Sequence, residues 1–327
     1  MINIGIIGYG KMGRTRAQAI ENVGMGKVLA IWDAYPVDPG PYHFARDEEE
    51  ILSSPTIDAI FICTPNYRIV PLTKAALVAG KHVFSEKPPA FTAQELAEVL
   101  LIEKSSCCKL MYGFNHRHHG SIKKMKSVVD SGDLGRVLWM RGRYGKEVDE
   151  SFFKGWRADP DLSGGGIMLD QGIHMLDLFL FLGGGFDEVH AFVSNLFWKI
   201  PGVEDNVFAI LRSSETGVCA SLHSTMTQWR YLFSLEIFLE RGALILNGLK
   251  TSSGAYGDEE LAIKQNIEYP EEGKFEKEER IVYHNDTSWE SEVRHFIECI
   301  SNDKTIKIGN SSDAHVLMKL IDNIYAK

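Results

Sequence analysis

The sequence predicts a two-domain α/β protein: a doubly wound parallel sheet, then a second α/β domain on a mostly antiparallel sheet. Three observations carry this. Short apolar runs alternate with helical patterns as far as Phe114, and a glycine-rich turn directly follows the first of those runs. Beyond Asp130, apolar strands succeed one another through turns instead of helices. A chain of 327 residues is also long enough for two cores.

In the first part, residues 3–7, 28–32, 59–63, 82–84 and 110–114 read as buried strands, each a short apolar run between turn signals. Stretches 12–23, 69–79 and 93–104 lie between them with helical spacing. Strands separated by helices require right-handed crossovers, hence a parallel sheet covered on both faces. Such sheets place ligands at the carboxyl ends of their strands. A helix over 121–130 leads into the second part, where 137–146, 188–198, 207–211, 218–224 and 233–239 read as strands. Turns join most of them, which predicts antiparallel pairing. A strongly apolar helix over 167–182 interrupts them, and amphipathic helices over 288–300 and 312–326 close the chain. The mixed-charge stretch 270–280 reads as a solvated loop. The expected domains are 1–117 and 118–327.

Composition narrows the function classes. The chain carries 35 Lys plus Arg against 44 Asp plus Glu, a net charge of −9. That balance argues against a nucleic-acid partner, because phosphate-backbone binding relies on clustered cations. No apolar run approaches the ~18 residues that suggest a membrane span. The start lacks the basic region and cleavage site of a signal peptide. Cys63, Cys107, Cys108, Cys219 and Cys299 are odd in number and show no CxxC spacing, so they read as reduced thiols in a cytoplasmic protein.

Gly8-Tyr9-Gly10-Lys11-Met12-Gly13 follows the first strand and opens the first helix. The first glycine permits a tight turn, the second lets backbone approach a pyrophosphate, and the third allows close helix-to-sheet packing. The helix start then offers unpaired N–H groups to phosphate. Asp33 ends the second strand about 20 residues later, where a carboxylate accepts ribose hydroxyls and repels a 2′-phosphate. Ala34 and Tyr35 follow it, not arginine. NAD is therefore favoured over NADP. Two more strand ends carry Thr64-Pro65-Asn66 and Glu86-Lys87-Pro88. A residue before proline is held extended, so Lys87 can project over the cofactor edge, although by composition alone it reads as a surface lysine.

These residues resemble the Gfo/Idh/MocA oxidoreductases, the glucose–fructose oxidoreductase and inositol dehydrogenase family. The match comprises Gly8-x-Gly10-x-x-Gly13, Asp33, Thr64-Pro65-Asn66, Glu86-Lys87-Pro88, Gly113-Phe114-Asn115-x-Arg117 and Asp170-x-x-x-His174. The resemblance implies a Rossmann domain, and after it an open sheet whose exposed face builds homodimers or homotetramers. It also implies that residues 8–13, Asp33, Thr64, Pro65, Asn66, Glu86, Lys87 and Asn115 bind the cofactor. His174 would be the general acid/base, Lys87 a second catalytic group, and Asp170 the residue that orients His174. Where many relatives carry a histidine after Asn66, this chain has Ile69 or Val70.

Asp170 and His174 are four apart, so on a helix they share a face. Oxidising a secondary alcohol removes a hydride from carbon and a proton from oxygen. A neutral imidazole, with an ordinary pKa of ~6.5, can take that proton. A lysine ammonium stabilises the developing alkoxide. Trp156 and Arg157 either lie at the substrate or form a loop aromatic packed under an arginine stem. Arg117 is a further candidate for substrate hydroxyls or phosphate. His116, His118 and His119 lack the carboxylate or cysteine spacing of a metal site and read as a loop or strand-edge cluster. The expected activity is hydride exchange between NAD and a CH–OH group of a sugar, nucleotide sugar or inositol. An NAD-dependent glycosidase of the same family and a non-catalytic NAD-binding regulator are the alternatives.

Overall fold

The computed structural model describes residues 1–265 and 278–326. It contains two compact units: Met1–Asn115 with Asp161–Gly164 and Ser288–Lys319, and His116–Pro160 with Gly165–Thr287 and Leu320–Lys327.

The first unit holds β1 (Ile2–Ile7), β2 (Gly26–Trp32), β3 (His43–Phe44), β4 (Ala59–Ile62), β5 (His82–Ser85) and β6 (Leu110–Tyr112). All pair in parallel in the order β3-β2-β1-β4-β5-β6, that of a dinucleotide-binding doubly wound sheet. Strand β4 is buried at every position, as a strand covered on both faces must be. Helices α1 (Lys11–Val23), α2 (Glu48–Ser53), α3 (Ile69–Val78) and α4 (Ala93–Ser105) make the connections. The short β3 and α2 are additions to the sequence expectation. The Asp47 side chain caps α2, accepting from Glu50 N at 2.9 Å.

Ser288–Lys319 joins this unit because of what its first helix buries. Phe296 lies edge-on to both Phe61 and Phe84, with ring centroids 5.6 Å apart in each case. Arg16, fully buried on α1, pairs with Glu86 at 2.6 Å and with Glu292 at 2.6 Å. Burial alone would lower the guanidinium pKa, but the two carboxylates outweigh it and hold it above its ordinary value. Gly113 completes the arrangement: a Cβ there would come 2.9 Å from Arg16 Nη2 and 3.1 Å from Glu86 Oε2.

The second unit holds eight strands in the order β14-β13-β12-β11-β7-β10-β9-β8. They are β7 (Val137–Glu147), β8 (Glu188–Ser194), β9 (Asn206–Arg212), β10 (Cys219–Thr225), β11 (Thr227–Leu239), β12 (Gly242–Asn247), β13 (Glu259–Gln265) and β14 (Glu278–Tyr283). Only β10 with β7 is parallel; the other neighbours are antiparallel. The strands β12, β13 and β14 exceed the sequence expectation. Glu278–Arg280 belongs to β14, not to a loop, because its charged side chains occupy exposed or half-buried strand positions and Arg280 reaches Glu260 at 2.9 Å. The rest of the stretch expected as a loop, 270–277, lies outside the described residues.

Helices α5 (Gly120–Ser131), α6 (Pro160–Ser163), α7 (Ile173–Gly183), α8 (Ser288–Ser301) and α9 (Ser311–Tyr325) complete the chain. The expected helix over 167–182 is two structures: a π-turn, Met168–Gly172, running into α7. Gly142 on β7 lets α7 approach, since a Cβ there would meet Met175 Sδ at 2.4 Å. By length and composition the helical run Pro160–Gly183 could cross a membrane, yet 83% of its apolar window is buried inside the protein.

Replacing Arg16 by methionine should leave two buried carboxylates without their cation, at a cost of about 3–5 kcal/mol. Urea unfolding checks this; a loss below about 1 kcal/mol would show that the pairs do not hold α1 and α8 in place.

Candidate active site

In the first unit, three glycines do separate jobs. Gly8 adopts φ +91°, and a Cβ on it would lie 2.6 Å from the Cys63 carbonyl. A Cβ on Gly13 would sit 2.1 Å from Gly8 O, so the turn can close on α1 only without one. At Gly10 nothing lies within 4 Å of that position, which leaves the backbone open where it starts α1. Asp33 stands beside this turn: Oδ2 accepts from Tyr9 N at 2.7 Å and Oδ1 from Tyr35 N at 3.0 Å. A carboxylate has about four lone-pair sites, so both oxygens retain capacity for hydroxyl donors. Thr64 Oγ1 is buried with no hydrogen-bond partner among the described residues. The turn, the carboxylate and this hydroxyl fit an adenosine diphosphate moiety. Tyr9 is buried against Tyr42, Lys11 is exposed and Met12 half-buried.

Other residues expected at the cofactor have protein partners. Glu86 faces Arg16 in the buried pair, where its carboxylate neutralises an internal guanidinium. Asn66 donates to Ser163 O at 2.8 Å, and Asn115 donates to Ser288 Oγ at 3.2 Å. Pro65 precedes the single turn Asn66–Arg68. Lys87 is half-buried at the end of β5, followed by a cis bond to Pro88.

In the second unit, α7 delivers His174 into a cluster of aromatic and polar groups. Its ring stacks on His116, with centroids 3.9 Å apart and planes at 19°. His116 is hydrogen-bonded through Nε2 to Tyr144 Oη at 3.1 Å, and Tyr256 packs on Tyr144. Gln171 donates to Tyr256 Oη. Burial, then the neighbouring phenol and Asp170, push the Tyr144 pKa well above its ordinary value. Burial and Asp170 raise Tyr256 likewise. Neither phenol ionises near neutral pH, which leaves the imidazoles as the groups there able to exchange a proton. Asp170 lies in the π-turn and pairs with Lys146 of β7.

Sequence reasoning missed His116, Tyr144, Lys146 and Tyr256. His116 read as part of a loop cluster, and it sits in the short turn Asn115–His118. His119 pairs with Glu259 at 2.8 Å. No group of three or more metal-ligating residues occurs among the described residues.

A family model described as "Oxidoreductase family, NAD-binding Rossmann fold" matches residues 2–114, and "GFO/IDH/MocA C-terminal domain" matches 122–245. The chain belongs to the GFO/IDH/MocA oxidoreductase family. The chain is an NAD(P)-dependent oxidoreductase acting on CH–OH groups, and its first unit carries the NAD-binding Rossmann domain. The chain is 26% identical over 326 residues to the uncharacterized oxidoreductase YrbE of Bacillus subtilis, covering 94% of this chain and 89% of that one. It is 27% identical over 254 residues to inositol 2-dehydrogenase of Rhizobium meliloti, covering 74% of each. Its fold is similar to that of a levoglucosan dehydrogenase in complex with NADH and levoglucosan, with a TM-score of 0.87 at 22% identity, covering 99% of this chain and 96% of that one.

The residues expected on the substrate side also have neighbours within the chain. Arg117 is buried and grips Asp177 with two hydrogen bonds, at 2.8 and 2.6 Å, while Phe181 lies against its guanidinium. Such a fork ties the turn to α7. Arg157 is exposed over the Trp156 ring, 4.4 Å from its centroid.

Removing the Asp33 carboxylate in Asp33→Ala should weaken NAD by about tenfold or more and relax discrimination against NADP. Paired calorimetric titrations of both cofactors check this; unchanged NAD affinity would remove Asp33 from the ribose.

Proposed function

We propose that this protein exchanges a hydride between NAD and a secondary alcohol of a sugar, nucleotide sugar or inositol, in either direction. The observation that carries the reading is the His174 imidazole, buried against a second imidazole and close to phenols that stay neutral. The similarity to inositol 2-dehydrogenase and to the levoglucosan dehydrogenase fold supports a polyhydroxylated ring as substrate.

Bound NAD supplies the hydride acceptor, and the chain supplies the rest. His174 takes the hydroxyl proton on oxidation and returns it on reduction. Lys87 steadies negative charge on the reacting oxygen. Asp170 fixes the electrostatics around His174. Gly8, Gly10, Gly13, Asp33 and Thr64 hold the dinucleotide, while Trp156 and Arg157 serve the substrate side.

The partner assigned to the open face of the second unit's sheet is another copy of the chain. Phe192 is 80% exposed there, Ile210 55% and Phe208 50%, an apolar set that water disfavours.

His174→Ala and Lys87→Ala should each lower turnover by about 10²-fold or more with little change in NAD affinity. NADH formation against a panel of sugars and inositols reads this, and wild-type turnover in both variants would remove the assigned roles. Ile210→Arg should convert the assembly to monomers in analytical ultracentrifugation. An unchanged sedimentation coefficient, or a monomeric parent protein, would exclude that face.

A further inference from the structure

Lys146 has no part in the chemistry described so far. Its side chain is 11% exposed, yet it ends in a charge. Two things compensate for that burial: the Asp170 carboxylate, with which it pairs, and the face of Phe152, whose centroid lies 4.0 Å from Nζ. Strand periodicity places it. Tyr144 and Lys146 are alternate residues of β7 and share a side of the strand, so the lysine arrives beside the phenol that is bonded to His116.

Resting on the reading of His174 as acid/base, we propose that Lys146 is a positioning residue. By neutralising Asp170, it prevents that carboxylate from holding His174 as imidazolium and keeps the ring able to accept a proton at physiological pH.

Within the second unit, the other charged and titratable groups near His174 have partners of their own or stay neutral. On its own helical run stand Asp170, one turn before it, and Asp177, which Arg117 neutralises through its fork. From the Asn115–His118 turn comes His116, stacked face to face, and behind it His119, 5.7 Å from His116 and hydrogen-bonded to Glu259. The strand β7 contributes Tyr144 and Lys146, and the segment before β13 contributes Tyr256. Both phenols are held neutral by burial. An uncompensated carboxylate one turn away would raise an imidazole pKa, and a cation bound to that carboxylate cancels the effect. Sequence spacing alone shows only that Asp170 and His174 share a helix face, because it cannot reveal the lysine on another strand.

The test is an NMR titration of the His174 ring in the cofactor-free full-length protein, with its signal assigned by loss in His174→Gln. In Lys146→Met the midpoint should rise by about one pH unit. In Lys146→Arg, which keeps the cation, it should stay in place. The acid limb of kcat/KM for alcohol oxidation should move up by the same amount in Lys146→Met, since oxidation needs the neutral ring. Should Lys146→Met fail to fold by circular dichroism, Lys146→Gln provides the same comparison. An unmoved midpoint in a folded, uncharged variant overturns the proposal even if the wild type reduces NAD. A raised midpoint in a protein that oxidises no polyol would sustain the charge assignment and sink the dehydrogenase reading instead.

Discussion

A charge removed from water must find its counter-charge nearby, and both units are organised by this constraint. Arg16 lies between Glu86 and Glu292, Arg117 forks onto Asp177, His119 meets Glu259, and Lys146 meets Asp170. Each pair joins segments distant in sequence, and breaking a buried pair is far more costly than the pair is stabilising. The pairs therefore act less as a source of net stability than as a specification of which elements meet.

In the nucleotide-binding unit this specification reaches the cofactor turn. Arg16 stands one helical turn beyond Gly13, so its carboxylates fix α1 just where the Gly8–Gly13 backbone must stay open. Glu86, next to Lys87, takes part directly, and Gly113, just after β6, leaves room for the network. A motif that looks like a row of cofactor contacts is thus partly internal scaffolding. Glycine and carboxylate positions shape the frame, while Asp33 and Thr64 keep unused hydrogen-bonding capacity.

The second unit applies the same physics around His174. Two phenols are kept neutral by burial, Asp177 pairs with Arg117, Glu259 with His119, and Asp170 with Lys146. What remains is a pair of stacked imidazoles, the side chains whose ordinary titration falls nearest neutrality. The π-turn that carries Asp170 lies between the close approach of Gly166 to Glu204 O and the packed face of α7.

The sequence by itself determined the parallel sheet, the glycine turn with Asp33, the mostly antiparallel second sheet and the Asp170-x-x-x-His174 spacing. These are legible because periodicity, glycine placement and strand-end carboxylates are local properties of the chain. Only the tertiary structure decided that α8 returns to the first unit, that Glu86, Asn66 and Arg117 have protein partners, and that His116 stacks on His174. The same holds for the pairing of Asp170 with Lys146 across 24 positions. The physical reason is common to all of them: whether a charged or polar group is free for chemistry depends on which distant residue shares its burial, and no local pattern records that.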